Sequence, residues 1–180
     1  DPERIPLAKI LARLDEIEHL QTLSITGGEP SFRLDTWTEY VLPLLKYAKE
    51  RGLQTQINTN LTLEYDRYEL IAPYVDVMHI SFNYTDAEDF HRIAFARSAH
   101  EVAPATAAKM YERMIENARK LSAGGSFVSA ESMINHRTYD KMARIHHLIA
   151  DMGCRRHAVH PMYPSDVAAE LPMLPLEQLR

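Results

Sequence analysis

Leu23-Ser24-Ile25-Thr26-Gly27-Gly28-Glu29-Pro30 reads as a short strand that runs into a tight turn. Leu23 and Ile25 alternate with Ser24 and Thr26, the period of a half-buried strand. Two glycines then let the backbone turn sharply and approach a ligand without Cβ interference. Pro30 stiffens the exit and biases Glu29 toward extended backbone. Such a loop can aim main-chain carbonyls at an amino group, which brings donors and needs acceptors. The plainer reading of the same residues is an ordinary turn from strand to helix. The Lys-Ser/Thr pair of a P-loop does not follow.

Outward from this turn the chain alternates helix and strand. Leu7, Ile10, Leu11, Leu14 and Ile17 form one apolar stripe and predict a helix over 5–18. Trp37, Tyr40, Val41, Leu44, Leu45 and Ala48 predict another, with Asp35 as N-cap and Gly52 as the stop. Further helices are expected over 65–72, 107–122 and 139–152, and strands over 22–26, 54–59, 76–83, 126–134 and 156–162. Met110, Met114, Met142 and Met152 are expected in the core. Five strands separated by helices predict parallel βαβ units. The series starts on a helix with no strand before it to pack on, and 176–180 reads like the first turn of an unfinished helix. The expectation is a piece of a longer protein, with 1–164 a barrel core and 165–180 the start of a C-terminal extension.

Strand alternation separates two faces. Ser24 and Thr26, then Gln56, Asn58 and Asn60, then His79, Ser81 and Asn83, then Ser129 and Glu131, and finally His160 fall on one side. Helices must cover the other, apolar side. A closed eight-stranded barrel fills its interior with aliphatic layers, and a doubly wound sheet is apolar on both faces. A polar second face fits neither. It predicts an α/β fold, an open or partial parallel barrel, with a polar ligand at the strands' carboxyl ends.

Composition narrows the function classes. The 180 residues carry 46 % hydrophobic and 25 % charged residues and a net charge of −5, which excludes a disordered or collagen-like chain. The mixed, mildly acidic balance argues against a nucleic-acid partner. No run of about 18 apolar residues exists, so no membrane span is expected. The opening residues do not read as a signal peptide, and a cytoplasmic location is expected. Cys154 is the single cysteine, which excludes a disulfide framework, a zinc ribbon and a self-contained iron–sulfur site.

The turn and its surroundings resemble the radical S-adenosylmethionine (SAM) superfamily. Leu23 to Pro30 matches the family's glycine–glycine–glutamate–proline motif at the end of its second strand. Ile57-Asn58-Thr59-Asn60 is similar to the third strand's end, and His79-Ile80-Ser81-Phe82-Asn83 to the fourth, with Asn83 where an acid is common. Met133-Ile134-Asn135, followed by Tyr139 and Asp140, resembles the fifth strand and its helix start. His160-Pro161-Met162-Tyr163-Pro164 resembles the sixth strand's end. Within the superfamily the chain most resembles the YfkAB-like group.

That resemblance implies a partial barrel of six βα units, starting here at the first helix. It implies an enzyme that holds a 4Fe-4S cluster on a Cys-x-x-x-Cys-x-x-Cys loop and cleaves SAM reductively to start radical chemistry on an unknown substrate, with electrons from a reducing donor. The Gly27-Gly28-Glu29 backbone, stiffened by Pro30, would receive the methionyl amino group. Ser81 and Asn83 would reach the ribose or carboxylate. Ser129 and Glu131 would contact the ribose and methionine end. Asn58 and Asn60 would bond the carboxylate or substrate, and Met162 would flank the adenine. The sequence departs from the family in one respect: the cysteine triad is not among its residues, and the ligands would lie before Asp1. The isolated chain is then a cofactor scaffold without activity. No catalytic residue and no metal ligand is assigned.

Two other readings come from the residues alone. His79, Glu131 and His160, inward on three strands, could hold a divalent metal in a barrel hydrolase or nuclease, although no compact ligand spacing is present. The segment 83–106 carries His91, Arg92, Arg97 and His100, which could grip an anion or cover a cofactor. A solvated loop with a short helix is the alternative for that segment. Cys154 reads as a packed or surface thiol, and His147 as exposed on its helix.

Overall fold

The structure is a computed structural model and describes residues 4–27, 29–30, 33–96, 101–162, 174–175 and 177. Five strands form one sheet: β1 (Thr22–Ile25), β2 (Gln54–Thr59), β3 (Val77–Ser81), β4 (Val128–Ile134) and β5 (Arg156–Pro161). Their spatial order is their chain order, and every neighbouring pair is parallel. A doubly wound sheet reverses its strand order at a switch point. This sheet does not reverse, which is how a barrel wall is wound.

Helices make the connections. α1 (Leu7–Asp15) precedes β1. α2 spans 34–50 as Leu34–Thr36, a π-helical stretch Trp37–Val41, and Leu42–Glu50. α3 (Tyr65–Ile71) lies between β2 and β3, α4 (Ala87–Ala94) and α5 (Pro104–Ala123) between β3 and β4, and α6 (Met142–Asp151) between β4 and β5. The helices cover one face of the sheet. Ile57, Ile80, Val128 and Ala130 on the strands and Leu45, Tyr68, Ile71, Ala118 and Ile145 on the helices are all fully buried. Met114 and Met152 are buried with them, and Met110 and Met142 pack against the same core. The methionine stripe is therefore packing material, as its spacing predicts.

Two local expectations are corrected. Asp35 does not cap α2: the N-cap position is Arg33, without a side-chain cap bond, and Asp35 instead takes Arg33 through both carboxylate oxygens. The side chain sits two residues past the N-cap, at the second helical position, where its Oδ1 accepts from Thr36 N at 2.9 Å instead. The α2 face also contains the π-helical stretch, which periodicity at 3.6 residues does not reveal. It places the buried Trp37 so that its Nε1 donates to Arg67 O at 3.1 Å. Gly52 does act as the stop, in left-handed backbone at φ 71°.

The amino ends of the strands are tied by polar contacts. Asp76 accepts from Thr55 N at 2.8 Å and pairs with Lys49, while Thr55 Oγ1 donates to Tyr74 O at 2.7 Å. Burial alone would raise the Asp76 pKa. The Lys49 and Thr55 hydrogen bonds outweigh it and hold the carboxyl below its ordinary value. α1 contributes no buried residue, and Ile5 and Ile17 beside it are exposed.

Candidate functional site

The face of the sheet turned away from the helices is polar and half open. Register lines up its residues in rows. Asn58, His79, Ser129 and Arg156 are partners across β2 to β5, and Ser81, Glu131 and Ala158 form the next row toward the carboxyl ends. Ser24 and Ser81 are exposed, Gln56, Asn58 and Glu131 are half-buried, and Met133 and His160 are exposed beyond them. Burial alternates as expected on β1 and β2, while Ser129 on β4 is fully buried and β5 does not alternate.

The turn after β1 sits at the carboxyl end of this face. Gly27 has φ 97°, and among the described residues no atom beyond its chain neighbours lies within 4 Å of where its Cβ would be. Left-handed backbone there requires glycine, and the space above it is open to a ligand. Gly28 lies outside the described residues. Pro30 is buried. Glu29 reaches across to the end of β2: Thr59 Oγ1 donates to its Oε1 at 2.7 Å and Asn60 N donates to its Oε2 at 2.6 Å. Both carboxylate oxygens are thereby engaged with protein. The Glu29 side chain is a latch that ties the turn to the end of β2.

The neighbouring strand ends are braced in the same way. Asn60 Oδ1 accepts from Thr62 N at 3.0 Å and Thr62 Oγ1 at 2.7 Å, so its carbonyl closes a turn. Leu61 follows with φ 55°. Asn117, buried on α5, donates from Nδ2 to both Leu61 O and Leu63 O at 2.8 Å and holds that turn from outside. Asn83 Oδ1 accepts from Met133 N at 2.7 Å and joins the ends of β3 and β4. Met162 N continues the β4–β5 pairing by donating to Ile134 O at 3.2 Å, and the Met162 side chain is buried. A pocket of about 200 Å³ opens beside these ends, lined by Asn83, Ile93, Met133, Asn135, Arg137 and Thr138.

Deeper on the face lies a charged cluster. His79 Nδ1 is 2.7 Å from Glu131 Oε1. Arg156 Nε donates to Ser129 Oγ at 2.9 Å, and its Nη2 is 3.8 Å from Glu131 Oε1. The His79–Glu131 contact is close but off the alignment of a hydrogen bond, and neither ring nitrogen has an aligned partner. His79 is only 7 % exposed. Leaving a buried polar group unmatched costs about 1–3 kcal/mol.

His160 does not join this pair. Among the described residues no three His, Cys, Asp or Glu side chains come together as a metal site. The alternation places His160 on the right face but on the exposed edge strand, one row beyond Glu131, where it faces solvent. Of the basic residues of the 83–106 segment, the two that are described are engaged with protein. His91 Nε2 bonds Val102 O at 2.7 Å, and Arg92 pairs with the buried Asp89. Arg97 and His100 lie outside the described residues.

Residues the sequence reading missed are Thr59, Asn117 and Arg156. Thr59 faces the helices yet matters through its hydroxyl. Asn117 is the one amide on the buried stripe of α5, a signal visible in the sequence. Arg156 stands at the start of β5 in phase with His160.

The cysteine does not fit a cluster. Cys154 is alone, half-buried at the end of α6, and burial pushes its thiol up to about 11, so it stays protonated at neutral pH.

No family model matches the sequence. The chain is 51 % identical over its whole length to a Bacillus subtilis (strain 168) protein called putative protein YfkA, and it spans 48 % of that protein. Among solved structures it is similar to Streptococcus suis SuiB bound to S-adenosylmethionine (TM-score 0.60, 19 % identity, 86 % of this chain and 32 % of that one). It is similar to anSMEcpe with bound AdoMet (TM-score 0.63, 11 % identity, 87 % and 41 %). A domain of pyruvate-formate lyase-activating enzyme from Bacteroides vulgatus ATCC 8482 matches over 88 % of both chains (TM-score 0.59, 14 % identity). The five-stranded parallel sheet with its alternating helices is therefore an α/β partial barrel of the radical SAM type.

Proposed function

We propose that this chain is the SAM-binding wall of a radical SAM enzyme. The observation that carries the reading is the Gly27–Pro30 turn: left-handed at Gly27, open above it, and clamped by Glu29 onto the end of β2. A loop tied down on the neighbouring strand, with main-chain carbonyls as acceptors, suits the amino group of a methionyl moiety. The backbone of Gly27, Gly28 and Glu29 would hold that group. Ser81 and Asn83 at the end of β3 would face the ribose or carboxylate; Ser129, fully buried and accepting from Arg156, stands behind that face, and Glu131 is left to the substrate side. Asn58 and Asn60 would border the carboxylate or substrate, and Met162 would border the adenine. SAM, once cleaved reductively, supplies a radical that abstracts hydrogen.

The iron–sulfur cluster that such cleavage needs does not fit these residues, since Cys154 stands alone and protonated. Its ligands would come from outside the 180 residues. What this chain does is bind, orient and enclose. The polar face leaves room for a polar substrate. SuiB bound to precursor peptide SuiA and anSMEcpe with a Kp18Cys peptide have this fold, which supports a peptide-like substrate here. A reducing electron donor is a further partner of the full-length protein.

Anaerobic reconstitution of the full-length protein with iron and sulfide tests this. A brown species that turns over SAM to 5′-deoxyadenosine under reductant is expected. A colourless protein with stoichiometric zinc or manganese and no SAM binding would contradict it.

A further inference from the structure

We propose that His79, Glu131 and Arg156 form a subsite for an uncharged amide group of the substrate. The site lies on the polar face and comes from three adjacent strands; carried along the register, the level of Gly27 runs through Thr59, Ile80 and Ala130, so His79 and Arg156 stand one residue deeper and Glu131 one residue nearer the carboxyl ends. It rests on the reading above for treating the occupant as the substrate.

The groups define what they can take. Glu131 is an acceptor only and Arg156 a donor only. They stand 3.8 Å apart at Oε1 and Nη2, too far for a hydrogen bond with each other. Ser129 fixes the guanidinium through Nε at 2.9 Å, which leaves the Nη groups to donate elsewhere. Among the described residues nothing hydrogen-bonds Glu131 Oε2. The complement of an acceptor beside a donor is a ligand carrying a donor beside an acceptor. A primary carboxamide has that arrangement, with its syn N–H toward Glu131 and its C=O toward Arg156, whereas a trans secondary amide points the two apart.

Charge excludes the alternatives. A carboxylate ligand would gain Arg156 but sit against Glu131. An ammonium would gain Glu131 but sit against Arg156. The paired charges nearly cancel, so a neutral dipolar group loses least. His79 stands behind Glu131 as a positioning residue. Its ring is more than nine-tenths buried, and neither nitrogen has an aligned partner. A ligand that turns the Glu131 carboxylate by a small angle would bring Oε1 into line with Nδ1 and give that nitrogen its hydrogen bond.

The test uses the full-length chain labelled with 13C at the histidine rings, with acetamide, acetate and methylammonium as probes. Acetamide is expected to shift the His79 resonance saturably, at least about tenfold tighter than either ion. E131Q and R156Q should each abolish that shift while the resonance of His91, held by Val102 O, stays in place, which shows an intact fold. Absence of a saturable shift with acetamide, or equal binding of acetate or methylammonium, would overturn the subsite in the wild-type protein without any variant. SAM binding by equilibrium dialysis on the reconstituted sample separates the two readings. SAM bound without the amide overturns the subsite alone. The amide bound without SAM supports the subsite and overturns the radical SAM reading alone.

Discussion

Glu29 spends its carboxylate on two donors that lie 30 and 31 residues away, Thr59 and Asn60. Hydrogen bonds to a charged group contribute about 1.5–3 kcal/mol each, less where solvent screens them. Glu29→Ala is therefore expected to cost about 2 kcal/mol. For a chain of this size that lowers Tm by roughly 4–8 °C. Calorimetry of wild type and variant checks this, and an unchanged Tm would remove the latch. Gly27→Ala meets no steric wall, but φ 97° strains any side chain, so a loss of about 1–2 kcal/mol is expected in the same scan. Asn117→Ala strands the carbonyls of Leu61 and Leu63 behind α5. About 2–3 kcal/mol should be lost in urea unfolding, with Asn117→Asp worse, because an acid cannot donate twice. A variant as stable as wild type would show that the turn after β2 holds itself.

At the scale of elements, α6 and β5 meet through a stacked imidazole pair. The His146 and His157 rings lie 5.4 Å apart, with Nδ1 atoms at 3.1 Å, and His157 Nε2 bonds Ser132 Oγ at 2.9 Å. Burial first, and His146 second, lower the His157 pKa below 6.5. The folded state thus resists protonation more than the unfolded chain does. The stabilisation is complete above about pH 6.5 and is lost as pH falls through the lower folded value. The urea midpoint should drop between about pH 7.5 and pH 5, and His146→Ala should flatten that slope by removing one of the two causes. An identical slope in the variant would show that the pair does not couple.

Over the whole molecule, what was legible was what depends on local period. Alternation at Asn58, His79, Ser81 and Glu131 placed all four on the polar face before any coordinates, and the two-glycine turn marked its open end. Strand succession was enough for a parallel barrel wall. Long-range partners were not legible. Nothing in Glu29 says that it turns toward Thr59 rather than a ligand, and nothing in Asp35 says that Arg33 will claim it first. His160 shares a face with Glu131 but not a neighbourhood, since alternation fixes the side of a sheet and not the depth along it. Nothing in the sequence sets Arg156, at the first position of β5, beside Ser129 and Glu131.

The claim that joins these scales is that the carboxyl ends of β1 to β5 cradle SAM around a turn that Glu29 holds rigid. A crystal structure of the reconstituted full-length protein with SAM tests it most directly. The account predicts the methionyl amino group on the main-chain carbonyls of residues 27–29, with the Glu29 carboxylate still on Thr59 and Asn60. SAM bound away from that turn, or Glu29 released from β2 to take the ligand itself, would contradict it.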